Sequence, residues 1–138
     1  MEKGLIPSEV AEARAVMAVA EKMLVAARTA PKARGRDNLV TAIVTPGPLL
    51  EQLRGKMREL GPQSGFGAFE RDAENIAQVQ AIVLLGTKAA PMGLKVCSFC
   101  GFASCEEMEA KGGLCAYNSG DLGIAVGSAV SVAADCRV

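Results

Sequence analysis

Residues 39–45 read Leu39-Val40-Thr41-Ala42-Ile43-Val44-Thr45, an almost wholly apolar, β-branched run closed by Pro46-Gly47-Pro48. Branching at Cβ suits a pleated strand. The lack of polar alternation predicts a strand buried on both faces. Gln80–Gly86 (QAIVLLG) has the same character and predicts a second buried strand. Upstream, Ser8–Ala30 predicts a helix: Pro7 precedes it, Ser8 caps it and Glu9 suits its positive end. Val16, Val19, Ala20, Met23 and Ala27 fall on one face at helical spacing, and Pro31 stops the run. Downstream, Leu49–Leu60 predicts a helix with Leu50, Leu53 and Met57 on one stripe, Gly61–Gly67 a loop, and Glu70–Gln78 admits a short helix. Asp121–Asp135 predicts the last helix, with Asp121 as its cap; Gly123, Gly127, Ala125, Ala129 and Ala133 leave smooth faces for close packing. The order helix, strand, helix, strand, helix argues an α+β fold with a central sheet covered by helices. Thr87–Gly120, rich in Gly and Cys and without a clean period, reads as a Cys-rich loop insertion before the last helix. A connection that long needs a reason to be ordered. The length of 138 residues suits one domain, 1–138, with the Cys-rich segment 92–120 inside it.

Composition removes several function classes. Lys plus Arg is 15 and Asp plus Glu is 15, so the chain lacks the net basic charge expected of a protein that binds nucleic acid by neutralising phosphates. One tyrosine, four phenylalanines and no tryptophan argue against base-stacking platforms. The absence of histidine removes Ser-His-Asp and Cys-His catalysis, His-ligated zinc and His proton shuttles. Met1–Val10, carrying Glu2, Lys3 and Pro7, has no apolar core of a secretory signal. The longest uncharged apolar-rich run, Leu122–Ala134, has 13 residues, whereas a spanning helix needs roughly 17 or more. The expectation is a soluble cytoplasmic protein, with no membrane and no nucleic-acid partner. In that compartment a tight cysteine cluster points to metal or redox chemistry.

That cluster is Cys97-x2-Cys100-x4-Cys105-x9-Cys115, four thiols within 19 residues. Thiolates are soft, charged donors, and four of them suit a tetrahedral metal or a cubane [4Fe–4S] cluster. Gly101, Gly112 and Gly113 allow the chain to wrap tightly, and Phe99 and Phe102 are placed to exclude water. Structural zinc held by four cysteines is the main alternative, although such sites more often show two short Cys pairs separated by a longer stretch. A thiol-exchange pair at Cys97 and Cys100, or four unrelated buried thiols, are the remaining readings. Cys136, past the last helix, reads foremost as a core thiol and is not assigned to the cluster. Glu106, Glu107 and Glu109 read as a solvated helical face. Their charge disfavours adding an electron nearby, and Lys95 and Lys111 oppose it.

Arg28, Lys32, Arg34 and Arg36 lie within nine residues with no acid among them. Such a turn is able to hold a flavin or nucleotide phosphate, with Arg28, Lys32 and Arg34 as the candidates. It equally fits a solvated loop, or contacts to the helix-end carbonyls near Ala30. Gly65-Phe66-Gly67 is not a dinucleotide fingerprint, and no P-loop is present.

Cys97-Ser98-Phe99-Cys100-Gly101-Phe102, with Cys105 and Cys115 and the following Asp121-Leu122-Gly123-Ile124-Ala125, resembles a small prokaryotic family of uncharacterised proteins described as containing a ferredoxin domain. Ala26–Asn38 (AARTAPKARGRDN) resembles the same family, so the likeness runs over nearly the whole chain. The resemblance implies an iron–sulfur protein without an established substrate. Family members continue past the equivalent of Asp135-Cys136-Arg137-Val138, so this sequence reads either as a shortened member or as a trimmed one. A weaker architectural resemblance, carried by Ala30-Pro31 and the order of elements, is to FMN-dependent nitroreductases. It implies an intertwined dimer holding FMN between subunits.

The leading functional expectation is a redox protein with one [4Fe–4S] cluster ligated by Cys97, Cys100, Cys105 and Cys115. It would transfer electrons to a redox partner protein or a flavin with no separate acid or base; whether it is an enzyme is left open, and if it is one it is an oxidoreductase. A structural zinc module and an FMN-dependent nitroreductase-like enzyme are the alternatives. A homodimer is expected from the Ala/Gly-faced final helix.

Overall fold

A computed structural model of the chain describes residues 4–65 and 67–138. Glu2 and Lys3 of the amino-terminal reading, and Phe66 of the Gly65-Phe66-Gly67 loop, lie outside the described residues. The fold is mixed α+β. Helix α1 spans Ser8–Thr29, strand β1 Leu39–Val44, helix α2 Pro48–Ser64, helix α3 Ala68–Asn75, strand β2 Ile82–Thr87, helix α4 Cys105–Ala110 and helix α5 Ala116–Cys136. Single 3-10 turns sit at Ala33–Gly35 and Ile76–Gln78. β1 and β2 pair into a two-stranded antiparallel sheet, and the Lys88 N–H donates to the Asn38 carbonyl at 2.9 Å just beyond the paired strands.

The chain forms two compact units: the chain through Glu21 with Ile43–Leu84, and Lys22–Ala42 with Leu85–Val138. In the first, α2 and α3 pack together. Leu50, 2 % exposed, and Ala73, fully buried, are among the core residues. Arg54 fastens the two helices. Its Nε donates to the Ala73 carbonyl at 2.8 Å, and its guanidinium pairs with Glu51 at 2.8 Å and with Glu74 at 3.6 Å. Arg58, bonded to Glu74 at 2.6 Å, holds the Glu74 carboxyl below its ordinary value.

The second unit has two apolar clusters. Ala27, Ala30, Leu39, Ala125 and Ala129 pack with Met23, Leu85 and Leu122, joining the later part of α1 and the sheet to α5. Small side chains at Ala27, Ala125 and Ala129 let these backbones approach closely, and each of the three is fully buried. The second cluster, Met92, Met108 and Cys115, lies under the Cys-rich segment.

Several expectations change here. The strands are not buried on both faces. Val40 is 55 % exposed and Leu84 43 %, because an antiparallel pair of strands can leave one face to solvent. α2 runs on through Pro62 to Ser64 and stops at left-handed Gly65 (φ 63°). Ser8 is the first helical residue of α1, not its cap; the Pro7 carbonyl accepts from the N–H groups of Val10 and Ala11. α5 begins at Ala116, with Cys115 as its N-cap residue, so Asp121 sits inside the helix and is buried rather than capping it. Cys136 is exposed at the last turn of α5, not a core thiol. Among the described residues no helix is long and apolar enough to cross a membrane.

Candidate metal centre

Cys97, Cys100, Cys105 and Cys115 all line one cavity, together with Phe99, Phe102, Met108 and Tyr117. The cavity lies wholly within the second unit. Each thiol is delivered by a different local device. Cys97 and Cys100 flank a turn in which the Gly101 N–H donates to the Ser98 carbonyl at 2.9 Å. Ser98 (φ 55°) and Gly101 (φ 83°) are left-handed there, a conformation glycine adopts freely and serine does not. Cys105 opens α4. Ser104 caps that helix by accepting from the Glu107 N–H at 3.1 Å, and the Glu107 carboxylate reaches back to the Ala103 N–H at 2.9 Å. The stretch Ser104-x-x-Glu107 is thus a capping box displaced by one residue.

The far end of α4 explains the nine-residue gap before Cys115. The Gly112 N–H donates to the Glu109 carbonyl at 3.0 Å and the Gly113 N–H to the Met108 carbonyl at 2.8 Å, with Gly112 left-handed (φ 65°). This is a Schellman stop, and it turns the chain back toward the cavity. Gly113 is needed as it stands: a Cβ there would lie 2.7 Å from the Phe102 ring and 2.9 Å from Met108. Cys115 then enters the core at 7 % exposure and hands the chain to α5.

The surrounding polar groups fix the segments that carry these thiols. Asn118 Oδ1 accepts from the Ala90 N–H at 3.1 Å, and the Asp121 carboxylate accepts from the Ala33 N–H at 3.0 and 3.1 Å. Asn118 Nδ2 is buried without a partner among the described residues. Phe99 stacks at a tilt on Tyr117 with centroids 5.5 Å apart, and Phe102 packs into the Met92–Met108–Cys115 cluster. Both phenylalanines line the cavity, but only Phe102 is packed where it excludes water; Phe99 is 67 % exposed. Glu106 and Glu109 are exposed and Glu107 half-buried. Lys111, bonded to Glu107 at 2.6 Å, and next the Ala103 N–H hold the Glu107 carboxyl below its ordinary value.

The four thiols share the cavity without closing on one point. Among the described residues no three Cys, Asp or Glu side chains stand close enough to grip a metal ion. The enclosed space admits the centre of a water molecule over ≈ 20 Å³, about room for one water. The donor set, four thiols and no histidine, fits a soft metal or an iron–sulfur cluster.

The basic turn is engaged within the protein. Arg28 bonds Asp37 at 2.7 Å and the Leu39 carbonyl at 2.9 Å. Lys32 Nζ donates to the carbonyls of Ala27, Arg28 and Ala30 at 2.8–3.0 Å, satisfying the end of α1. Arg34 and Arg36 both reach the Met92 carbonyl, at 3.2 and 3.4 Å. These bonds give the four cations a structural task without a flavin phosphate. The Arg28 guanidinium holds the Asp37 carboxyl below its ordinary value; desolvation opposes it, and the Leu39 N–H adds a smaller lowering. A lowered folded-state value stabilises above the unfolded value of about 3.9 and is lost as pH falls through the folded one. Wild type is therefore expected to melt higher than Asp37→Asn at pH 7, with the gap closing below about pH 4. Melting curves of both proteins at pH 7 and pH 3 check this, and a gap that persists unchanged at pH 3 contradicts the ion pair.

An α+β chain whose four cysteines line one pocket defines a candidate metal-binding protein. Residues 111–138 match the model of a family described as "Uncharacterized protein containing a ferredoxin domain", which bears out the likeness read from the sequence. The matched residues include Cys115 and precede none of the other three cysteines' turns, which lie upstream. The chain is also similar to an uncharacterised protein of Archaeoglobus fulgidus, 39 % identical over 120 residues that cover 81 % of this chain and 64 % of the relative. The chain thus spans less than two thirds of that curated relative's length. No solved structure matches, so the nitroreductase likeness has no support in the fold, and FMN has none in the comparisons.

Proposed function

We propose that this chain is an iron–sulfur redox protein in which Cys97, Cys100, Cys105 and Cys115 hold one [4Fe–4S] cluster. The observation that carries the reading is that all four thiols line one cavity. The ferredoxin-domain description of the matched family supports it. When bound, such a cluster supplies one-electron chemistry. The protein's own residues do the rest. Four thiolates saturate the ligand positions, while Phe102, Met92 and Met108 keep one side of the site dry. Phe99 and Tyr117 line the side through which electrons reach a redox partner protein or a flavin. The protein acts in the cytoplasm, as a homodimer.

Protein prepared without oxygen is expected to be brown, to absorb broadly in the visible, and to contain about four irons and four sulfides per chain. Metal and sulfide quantitation checks this. Colourless protein with one zinc per chain overturns it in favour of a second reading, a structural zinc module. The small volume of the cavity favours that second reading, since it suits a single ion better than a cubane.

A further inference from the structure

The four cysteines are fastened very unequally. Cys115 is buried, is the N-cap residue of α5, and packs with Met92 and Met108. Cys105 is the first residue of α4, a helix stopped at both ends by its own hydrogen bonds. Cys100 is half-buried against the same Met92–Met108–Cys115 cluster. Cys97 has none of these supports. It is exposed, lies on irregular backbone, and is flanked by Val96 at 95 % exposure and by left-handed Ser98.

We propose that Cys97 is an exchangeable ligand, the centre being held by Cys100, Cys105 and Cys115, and that a small external thiol can take the place Cys97 vacates. The inference rests on the metal-centre reading above. Removing the Cys97 side chain from the cavity disturbs no core contact and no helix element, whereas Cys100 and Cys115 belong to the Met92–Met108 cluster and Cys105 is set in the first turn of α4. The corner it leaves faces solvent beside the exposed Phe99 ring. A thiolate is the matching entrant because it is the same soft donor as the one displaced. The incoming thiol gives its proton to the departing Cys97 thiolate, so one metal–sulfur bond breaks, one forms, and the charge at the centre is unchanged.

The test uses the full chain carrying Cys136→Ser, which removes the exposed thiol outside the cavity. Metal is loaded without oxygen, and small thiols are then removed. Cys97→Ala is expected to keep at least about half the wild-type metal and Cys115→Ala less than about a tenth. Ethanethiol is expected to slow metal loss to a chelator at least about threefold in Cys97→Ala and to leave the other proteins unaffected. Cys97→Ala as empty as Cys115→Ala, or full but indifferent to ethanethiol, overturns the proposal. A second measurement needs no cavity variant. In the loaded Cys136→Ser protein, iodoacetamide is expected to label Cys97 at least about tenfold faster than Cys115, read by peptide mass; equal rates overturn it. A Cys136→Ser protein that takes up no metal at all fails the proposed function instead, so the two failures are distinguishable.

Discussion

Replacing Cys115 by serine is expected to empty the metal centre while leaving the protein folded, the largest functional effect of any single change in the chain. Cys115 is the most deeply placed of the four thiols, 7 % exposed and in contact with Met92 and Met108. A hydroxyl is a hard, weakly acidic donor and does not replace a thiolate for a soft metal. Loss of an outer group around a metal already costs 10–100-fold in affinity, so loss of this ligand is expected to lower metal content by about tenfold or more. Stability behaves differently, because two effects oppose. Burying a hydroxyl in place of a thiol costs about 1–3 kcal/mol when it is unpartnered. Serine, however, is among the best N-cap residues, and Cys115 occupies the N-cap position of α5 with no side-chain cap bond among the described residues. A serine Oγ accepting from the first turn of α5 recovers about 0.5–2 kcal/mol. The net change is small, and circular dichroism should show a wild-type helix signal. Metal analysis of that folded variant is decisive. Wild-type metal content in Cys115→Ser removes Cys115 from the ligand set.

The parts of this arrangement that could be read from the sequence are those set by local chemistry. Long apolar periodicity gave α1 to within a residue, and the β-branched run around Ile43 placed β1. The cysteine spacing brought four thiols to one cavity, because each gap holds a single local device that the intervening residues encode. What escaped was the order within Thr87–Gly120. α4 has only six residues, too few for a helical period to show, yet its ends are written plainly: Ser104-x-x-Glu107 at the start and Gly112-Gly113 at the stop. Its signal lies in the caps rather than in a period. The start of α5 departs from the sequence expectation for the opposite reason. Asp121 is a strong capping residue by type, but Cys115 took the position and a buried long-range bond claimed the carboxylate. The burial of the strands was likewise outside the reach of composition, since it depends on how many strands pair and on which face is covered. The cations of the Arg28–Arg36 turn illustrate the same limit: their partners are carbonyls and a carboxylate that only the folded backbone brings near.

Asp121→Ala is expected to cost about 1–3 kcal/mol, the largest stability loss from a single polar side chain near the centre. Both carboxylate oxygens of Asp121 lie within 3.1 Å of the Ala33 N–H, a bond between α5 and the 3-10 turn after α1. Alanine leaves that N–H without its acceptor and opens a void at a site 9 % exposed. The effect does not stay local. Ala33 packs against the Met92–Met108–Cys115 cluster, and the adjoining Arg34 and Arg36 hold the Met92 carbonyl. Freeing the turn therefore loosens the apolar floor under the cysteine cavity, and metal is expected to leave Asp121→Ala several-fold faster than wild type. Asp121→Asn separates the hydrogen bond from the charge, because its Oδ1 still accepts from Ala33; it is expected to fall nearer wild type in both measurements. Ser131→Ala, on the exposed side of α5, controls for a general weakening of the helix. Urea unfolding gives the stability and chelator competition the metal release. If Asp121→Ala lies within about 0.5 kcal/mol of wild type, the Ala33 bond contributes nothing that water does not replace, and α5 is coupled to the cavity floor through Cys115, Tyr117 and the Asn118–Ala90 bond instead.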